Sequence, residues 1–115
     1  MREALGDYEP IPKMSFSSWP AVQHQIEATE RKVVLLTGLE GHICVTQTAL
    51  DLIDSGYTVF GVYDAISSRQ NWNRQIGWER IKGAGVIPSS TESAIYELLG
   101  EAGTDDFRFM LPLVK

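Results

Sequence analysis

Two short apolar runs separated by a helical pattern constrain the fold of this chain most strongly. Val33 to Leu36 is continuously apolar, and Tyr57 to Tyr63 is rich in β-branched and aromatic residues. Such runs are typical of strands that are buried on both faces of a sheet. Between them, residues from about Ile43 to Ser55 repeat with helical spacing. Strands that alternate with helices predict an α/β protein with a parallel sheet and helices on both faces.

The rest of the chain continues this alternation, and no internal repeat or linker interrupts it. The pattern predicts a helix beginning at Trp19, a polar helix over Asn71 to Lys82 and a third strand over Gly83 to Ile87. It also predicts a helix that follows a capping box from Ser89 to Glu92 and ends at Gly100, and a final helix capped by Thr104. Trp72, Ile76 and Ile81 are the expected inward side of the polar helix.

Composition limits the class of protein and its partners. The chain has 115 residues, which suits one domain over residues 1–115, and its net charge of −5 without a basic run argues against a nucleic-acid partner. No apolar stretch approaches the ~20 residues that span a membrane. The polar segment Met1 to Tyr8 does not resemble a signal peptide. A single cysteine excludes an intrachain disulfide, so we expect a cytoplasmic protein.

Cys44 is the first candidate for chemistry. It closes the segment Gly38 to Cys44, which directly follows the first apolar run and leads into the helical stretch. A strand that enters a glycine-flanked turn and then a helix places a side chain at the carboxyl end of the sheet, where the helix N-terminus favours a thiolate. The alternative is structural, since a lone cysteine is commonly a small buried hydrophobe.

Two further residues have both a structural and a functional interpretation. Lys13 is either a surface lysine or a cation that stabilises a thiolate and a charged substrate carbonyl. Asp64 follows the second strand and either lies at the functional edge or caps the next turn through the amides of Ser67 or Ser68. His42 and His24 have no carboxylates at metal-ligand spacing, so we predict no metal site and no cofactor.

Three segments together resemble a known family. They are Pro12 to Ser17, Leu36 to Leu52 and Asp64 to Arg69, and they are similar to the isochorismatase-like cysteine hydrolases, relatives of the nicotinamidases. The glycine-to-cysteine segment is the specific part of the likeness. The resemblance implies a three-layer α/β/α fold and hydrolysis of a C–N or ester bond in a small-molecule substrate.

The resemblance also implies roles for individual residues. Cys44 matches the nucleophile and Lys13 the assisting lysine, while the bond between Leu39 and Glu40 matches a cis peptide. The backbone amides of Glu40 and Cys44 match the donors of an oxyanion hole. The family's aspartate lies at the end of an earlier strand, and nothing before Lys13 has that pattern.

Two functions therefore stay open. The first is a cysteine hydrolase of this family, and the second is a catalytically impaired family remnant that serves as an oligomeric interaction module. In either case we expect a chain that lacks the family's N-terminal third. The strand Val33 to Leu36 would then have an unpaired edge, which predicts a homo-oligomer.

Overall fold

The structure is a computed structural model that describes residues 6–114. Residues 1–5 and 115 lie outside the described residues, and with them most of the polar segment Met1 to Tyr8. The elements in chain order are α1 (Trp19–Ala28), β1 (Val33–Gly38), a π-helical turn (Gly41–Val45), α2 (Thr46–Asp54), β2 (Thr58–Ile66), α3 (Asn71–Gly83), β3 (Ile87–Ser89), α4 (Thr91–Leu99) and α5 (Asp105–Val114). The predicted alternation of strands and helices is confirmed.

The three strands form one parallel sheet in the order β1, β2, β3. Val33 of β1 is opposite Thr58 of β2, and Phe60 of β2 is opposite Ile87 of β3. The register between β1 and β2 shifts between Leu36 and Gly38, and pairing resumes with Gly38 opposite Ile66. Parallel strands bring their carboxyl ends to one edge of a sheet, so β1 and β2 both end beside the turn that follows β1.

Helices cover both faces of the sheet, which gives the expected three layers. One face holds the main core, in which α2 and α3 pack on β2 and α1 packs on α2; its most buried members are Ala49, Leu52, Val59 and Ile81. The opposite face carries α4, whose Ala94 is buried, and α5 packs on α4. No helix within residues 6–114 has the length and apolar character needed to cross a membrane.

The third strand is shifted from its predicted position. Gly83 ends helix α3 and residues 84–86 form the turn that follows it instead of a strand, since the amide of Gly85 donates to Lys82 O and that of Val86 to Ile81 O. β3 then includes Pro88, which was expected to end it. Proline is tolerated there because β3 pairs on one side only among the described residues, so one strand edge needs no N–H donor.

Two further expectations about helices are wrong in detail. Trp72 and Ile76 are 63% and 55% exposed, and the inward side of α3 is formed by Gly77, Trp78 and Ile81. Helix α4 is capped by Ser90, whose hydroxyl accepts from the amide of Ser93, one residue later than the predicted capping box. By contrast, Thr104 caps α5 as predicted, through the amide of Phe107.

Gly77 lets α3 touch the backbone of the turn that follows β1. A Cβ atom at Gly77 would lie 2.7 Å from His42 Cα and 2.8 Å from the carbonyl oxygen of Gly41. Both neighbours are backbone atoms, which cannot rotate away as a flexible side chain can. Only glycine fits at this short distance between α3 and the turn, which explains why α3 turns the side that carries Gly77 inward.

We expect the substitution Gly77→Ala to lower the free energy of unfolding by about 1–3 kcal/mol, as overpacking does elsewhere. Gly83→Ala is the matched control, because Gly83 ends the same helix and a Cβ there meets no atom within 4 Å. That control should leave stability unchanged or raise it slightly. Urea unfolding curves of both variants test the contact, and equal stabilities would contradict it.

Candidate active site

Cys44 lies in the turn between β1 and α2. The π-helical turn spans Gly41–Val45, and the amides of Ile43 and Val45 both donate to the carbonyl oxygen of Glu40, at 3.0 and 3.1 Å. Single π-helical turns occur frequently at functional sites. Cys44 is half-buried and its thiol is free. The side chain is thus held at the carboxyl end of β1 and remains partly accessible.

The structure brings Lys13 to the sulfur of Cys44. Lys13 Nζ donates to Cys44 Sγ at 3.7 Å, and it also donates to the carbonyl oxygens of Ser15 at 3.0 Å and Phe16 at 2.9 Å. The two carbonyls use the other donors of the ammonium and orient it toward the sulfur. Among the described residues, Lys13 is the only one whose side chain hydrogen-bonds to Cys44.

The segment that carries Lys13 is anchored to α2. The amide of Ser18 donates to Thr48 Oγ1 at 2.8 Å, and Thr48 is buried beneath it. A second threonine of the same helix, Thr46, is fully buried and donates to the carbonyl oxygen of Gly41 at 2.6 Å. Helix α2 therefore fixes both the lysine segment and the turn that carries Cys44.

A small hollow opens between these parts. Its volume is about 100 Å³, and its wall includes Lys13, Ser18, Leu36, Leu39, Cys44 and Thr48. Ligand pockets usually enclose about 300–1,000 Å³, so this hollow accommodates a reacting group rather than a whole substrate. The peptide bond between Leu39 and Glu40, at its rim, is cis.

The ring of His42 contacts Ser68 and Glu40. Its Nδ1 lies 3.0 Å from Ser68 Oγ and 3.8 Å from Glu40 Oε2, beside a separate polar hollow of about 250 Å³ that Arg69, Gln70 and Asn73 also line. His24 lies on helix α1. Within residues 6–114, no three His, Cys, Asp or Glu side chains are grouped closely enough to hold a metal ion.

Asp64 is a structural cap, although not of the predicted turn. Its Oδ1 accepts from the amide of Thr91 at 2.8 Å and from the Thr91 hydroxyl at 3.1 Å, so it caps helix α4 instead of the Ser67–Ser68 turn. The hydrogen bond from the Thr91 amide lowers the pKa of this carboxyl below its ordinary value of 3.8. The parallel sheet places the end of β2 beside the start of α4, and that proximity is not visible in the sequence.

Sequence reasoning missed four residues that shape the site. They are Thr46 and Thr48, which anchor the turn and the lysine segment, Ser68, which contacts the turn, and Gly77, which lies against it. The two threonines are two residues apart on a helix, and neither spacing nor residue type separates them from solvent-facing polar residues. Ser68 stands beside Ser67, and only the folded backbone distinguishes the two.

Fold and site together define a parallel α/β protein with a cysteine and a lysine in contact at the carboxyl end of its sheet. The isochorismatase domain model matches residues 3–93, and the chain belongs to that family. The protein of Phytophthora sojae named secreted isochorismatase effector Isc1 is 43% identical over 98% of this chain and 55% of its own length. The human isochorismatase domain-containing protein 2 is 36% identical over 92% of this chain and 52% of its own.

Solved structures agree with this assignment. A structure described as MAR1 ribonuclease from Caenorhabditis elegans superposes with a TM-score of 0.82 at 32% identity, over 89% of this chain and 53% of that one. The pyrazinamidase/nicotinamidase of Streptococcus mutans gives a TM-score of 0.63 at 25% identity, over 67% and 44% of the two chains. The chain thus spans about half the length of the relatives it matches.

The Asp64 cap makes a pH-dependent prediction. Since its pKa is lower in the folded than in the unfolded chain, the carboxylate stabilises the fold fully above its ordinary value of 3.8, and this contribution is lost as pH falls through the lower folded value. Asp64→Ala should therefore reduce Tm at pH 7, and the difference from wild type should shrink below about pH 4.

Asp54→Ala is the matched control for this prediction, because Asp54 is exposed at the last residue of α2 and hydrogen-bonds to no other described side chain. It should not reduce Tm at either pH. Thermal unfolding followed by circular dichroism at pH 7 and pH 3 distinguishes the two variants. A Tm for Asp64→Ala equal to that of wild type at pH 7 would rule out the cap.

Proposed function

We propose that this chain carries the nucleophilic part of a cysteine hydrolase that acts on a C–N or ester bond of a small molecule. The observation that carries the proposal is the contact of 3.7 Å between Lys13 Nζ and Cys44 Sγ at the hollow. An ammonium at this distance places a positive charge beside the sulfur, which attacks as a thiolate. Membership of the isochorismatase family and the nicotinamidase-like fold support the same class of reaction.

The reaction begins with attack of the Cys44 thiolate on the substrate carbonyl carbon. An S–C bond forms and the carbonyl electron pair moves to oxygen, where the amides of Glu40 and Cys44 donate to it. The electron pair then returns, the bond to nitrogen or to the ester oxygen breaks, and the leaving group takes a proton from solvent. Water adds to the resulting thioester and releases the acid together with the free thiol.

The charge of the chain favours a small-molecule substrate over RNA, although the structural neighbour from Caenorhabditis elegans is described as a ribonuclease. The net charge is −5, and the ammonium of Lys13 is the only cation in the wall of the hollow. Binding to a nucleic-acid backbone needs several cationic contacts to phosphate. We also infer a cytoplasmic setting, because an accessible free thiol stays reduced there.

A general base for the thiol is the part of the mechanism that residues 6–114 do not supply. Asp64 is engaged by Thr91, and Asp7 lies in the exposed segment before Lys13. General-base help is worth roughly 10²–10⁴ in rate, so the chain alone should be a slow hydrolase. Should it prove inactive, the second function, a family module that acts by association, becomes the better description.

The thiol–lysine contact is tested by alkylation with iodoacetamide. Lys13→Ala should slow alkylation of Cys44 at pH 7 by about 5-fold, which corresponds to the ~1 kcal/mol that a charge 4 Å away contributes in water. Lys82→Ala is the matched control, because Lys82 pairs with Glu79 on α3. An unchanged rate in Lys13→Ala would separate the two residues chemically.

Hydrolysis is tested with a panel of simple amides and activated esters. Any turnover should disappear in Cys44→Ala and fall in Lys13→Ala, whereas the circular dichroism spectrum should not change. Turnover that survives in Cys44→Ala would exclude this cysteine as the nucleophile.

We further propose that the protein associates with a second copy of itself through β1 and the sheet face that carries α4. Within residues 6–114, β1 pairs with β2 alone. Its apolar side chains Val33 and Leu35 are 58% and 44% exposed, and Leu98 beside them on α4 is 77% exposed. An open strand edge next to an apolar patch is a template for pairing with another chain.

Sedimentation velocity at several concentrations should show a concentration-dependent oligomer. Leu35→Lys places a charge on this face and should shift the equilibrium toward monomer. Ile76→Lys is the matched control, because Ile76 is a comparably exposed apolar residue on α3, in the opposite layer. A monomeric wild-type protein, or equal effects of the two variants, would refute this interface.

A further inference from the structure

The segment that follows β2, residues 67–70, lies against Glu40 and the turn Gly41–Val45, which carry the proposed oxyanion donors. The amide of Gly41 donates to the carbonyl oxygen of Ser67 at 2.8 Å and to Ser68 Oγ at 3.0 Å. In return, the amide of Ser67 donates to the carbonyl oxygen of Gly38 at 3.1 Å. Backbone groups from both segments are thus paired with each other across the end of the sheet.

Ser68 is the only side chain of that segment that contacts two places on the turn. Its hydroxyl oxygen accepts from the Gly41 amide and also lies 3.0 Å from His42 Nδ1. The neighbouring contact, between Glu40 Oε2 and the amide of Arg69 at 3.2 Å, uses the backbone of the segment. The guanidinium of Arg69 is 82% exposed, so its ion pair with Glu40 contributes little.

The fit around Gly41 leaves little room for another arrangement. A Cβ atom at Gly41 would lie 3.0 Å from Ile66 Cγ2 and 3.1 Å from Ser68 Oγ. The end of β2 is held in turn by Arg74 of α3, which donates to the carbonyl oxygens of Ile66 at 2.8 Å and Tyr63 at 2.7 Å. The backbone that leads to Ser68 is therefore held in place by these hydrogen bonds.

We propose that Ser68 is a positioning residue that holds the backbone amides of the turn in the orientation required to stabilise a tetrahedral oxyanion on Cys44. The inference rests on the proposed function and deepens it. Ser68 acts through the backbone at Gly41 and the ring of His42 and does not itself touch the substrate. Its loss should weaken stabilisation of the oxyanion and leave the nucleophilicity of the thiol unchanged.

One assay separates these two properties. Iodoacetamide reacts with the thiolate by displacement of iodide at a saturated carbon, and no oxyanion forms. Butyraldehyde reacts reversibly with the same sulfur: an S–C bond forms, the carbonyl electron pair moves to oxygen, and a proton completes a thiohemiacetal. The butyraldehyde concentration that halves the rate of alkylation measures the affinity of this adduct, which places its oxygen at the proposed amides.

Ser68→Ala should weaken the butyraldehyde adduct by roughly 3- to 10-fold, the scale of one lost hydrogen bond, while the alkylation rate without aldehyde stays within about 2-fold of wild type. Ser68→Thr retains the hydroxyl and should restore the affinity. Ser67→Ala is the matched control, because Ser67 joins the turn through its backbone and its side chain hydrogen-bonds to no described residue.

The outcomes are distinguishable. Equal affinity for butyraldehyde in wild type and Ser68→Ala would overturn the positioning role alone, as would an equal loss in Ser67→Ala. A parallel loss of alkylation rate and adduct affinity in Ser68→Ala would also overturn it, because the residue would then act on the thiol. A wild-type protein that alkylates but gains no protection from butyraldehyde would overturn the proposed oxyanion site, and the inference with it.

Discussion

Direct backbone contact between helix α3 and the turn after β1 sets the geometry on which the site depends. At Gly77 the helix comes so close to His42 and Gly41 that no side chain fits between them. This contact determines where α3 lies over the sheet, and Arg74, one turn earlier on the same helix, then reaches the carbonyl oxygens at the end of β2. Gly77 thus links the packing of α3 to the positions of the turn after β1 and of the segment after β2.

The site is assembled from segments that are far apart in sequence, and each is held by polar groups of its neighbours. The lysine segment is held by Thr48, the turn by Thr46, and the turn's outer side by Ser68. Thr46 and Thr48 are buried, so their hydroxyls must be paired to avoid an energetic cost, and the pairing fixes the backbone at the same time. Electrostatic stabilisation of a developing charge requires such prior orientation, because donors that must first reorganise contribute less.

The class of fold was predictable from the sequence because strand and helix periodicities differ and apolar runs are bounded by turn residues. The contact of Lys13 with Cys44 could be anticipated only through the family resemblance, since 31 positions separate the two. Three predictions were wrong for physical reasons. The inward side of α3 was misplaced because Gly77 has no side chain that could contribute to a hydrophobic pattern, and β3 was misplaced because Pro88 is tolerated on a strand edge. The partner of Asp64 was missed because it comes from an element 27 residues away.

Strand β1 joins the chemistry of the site to the proposed association of the chain. Its alternate side chains point in opposite directions, so Val33 and Leu35 lie on the exposed apolar face whereas Leu36 contributes to the wall of the hollow beside Cys44. The hollow holds only a reacting group, and on the other face of β1 the side chains of Val33 and Leu35 are exposed within residues 6–114. A second copy that covers β1 would therefore lie beside the strand that leads to Cys44. Pairing at the open edge of β1 would hold the backbone of this strand in place, and with it Leu36 in the wall of the hollow. Association and the reactivity of Cys44 are for this reason expected to change together, because one face of β1 belongs to the proposed interface and the other to the wall of the hollow.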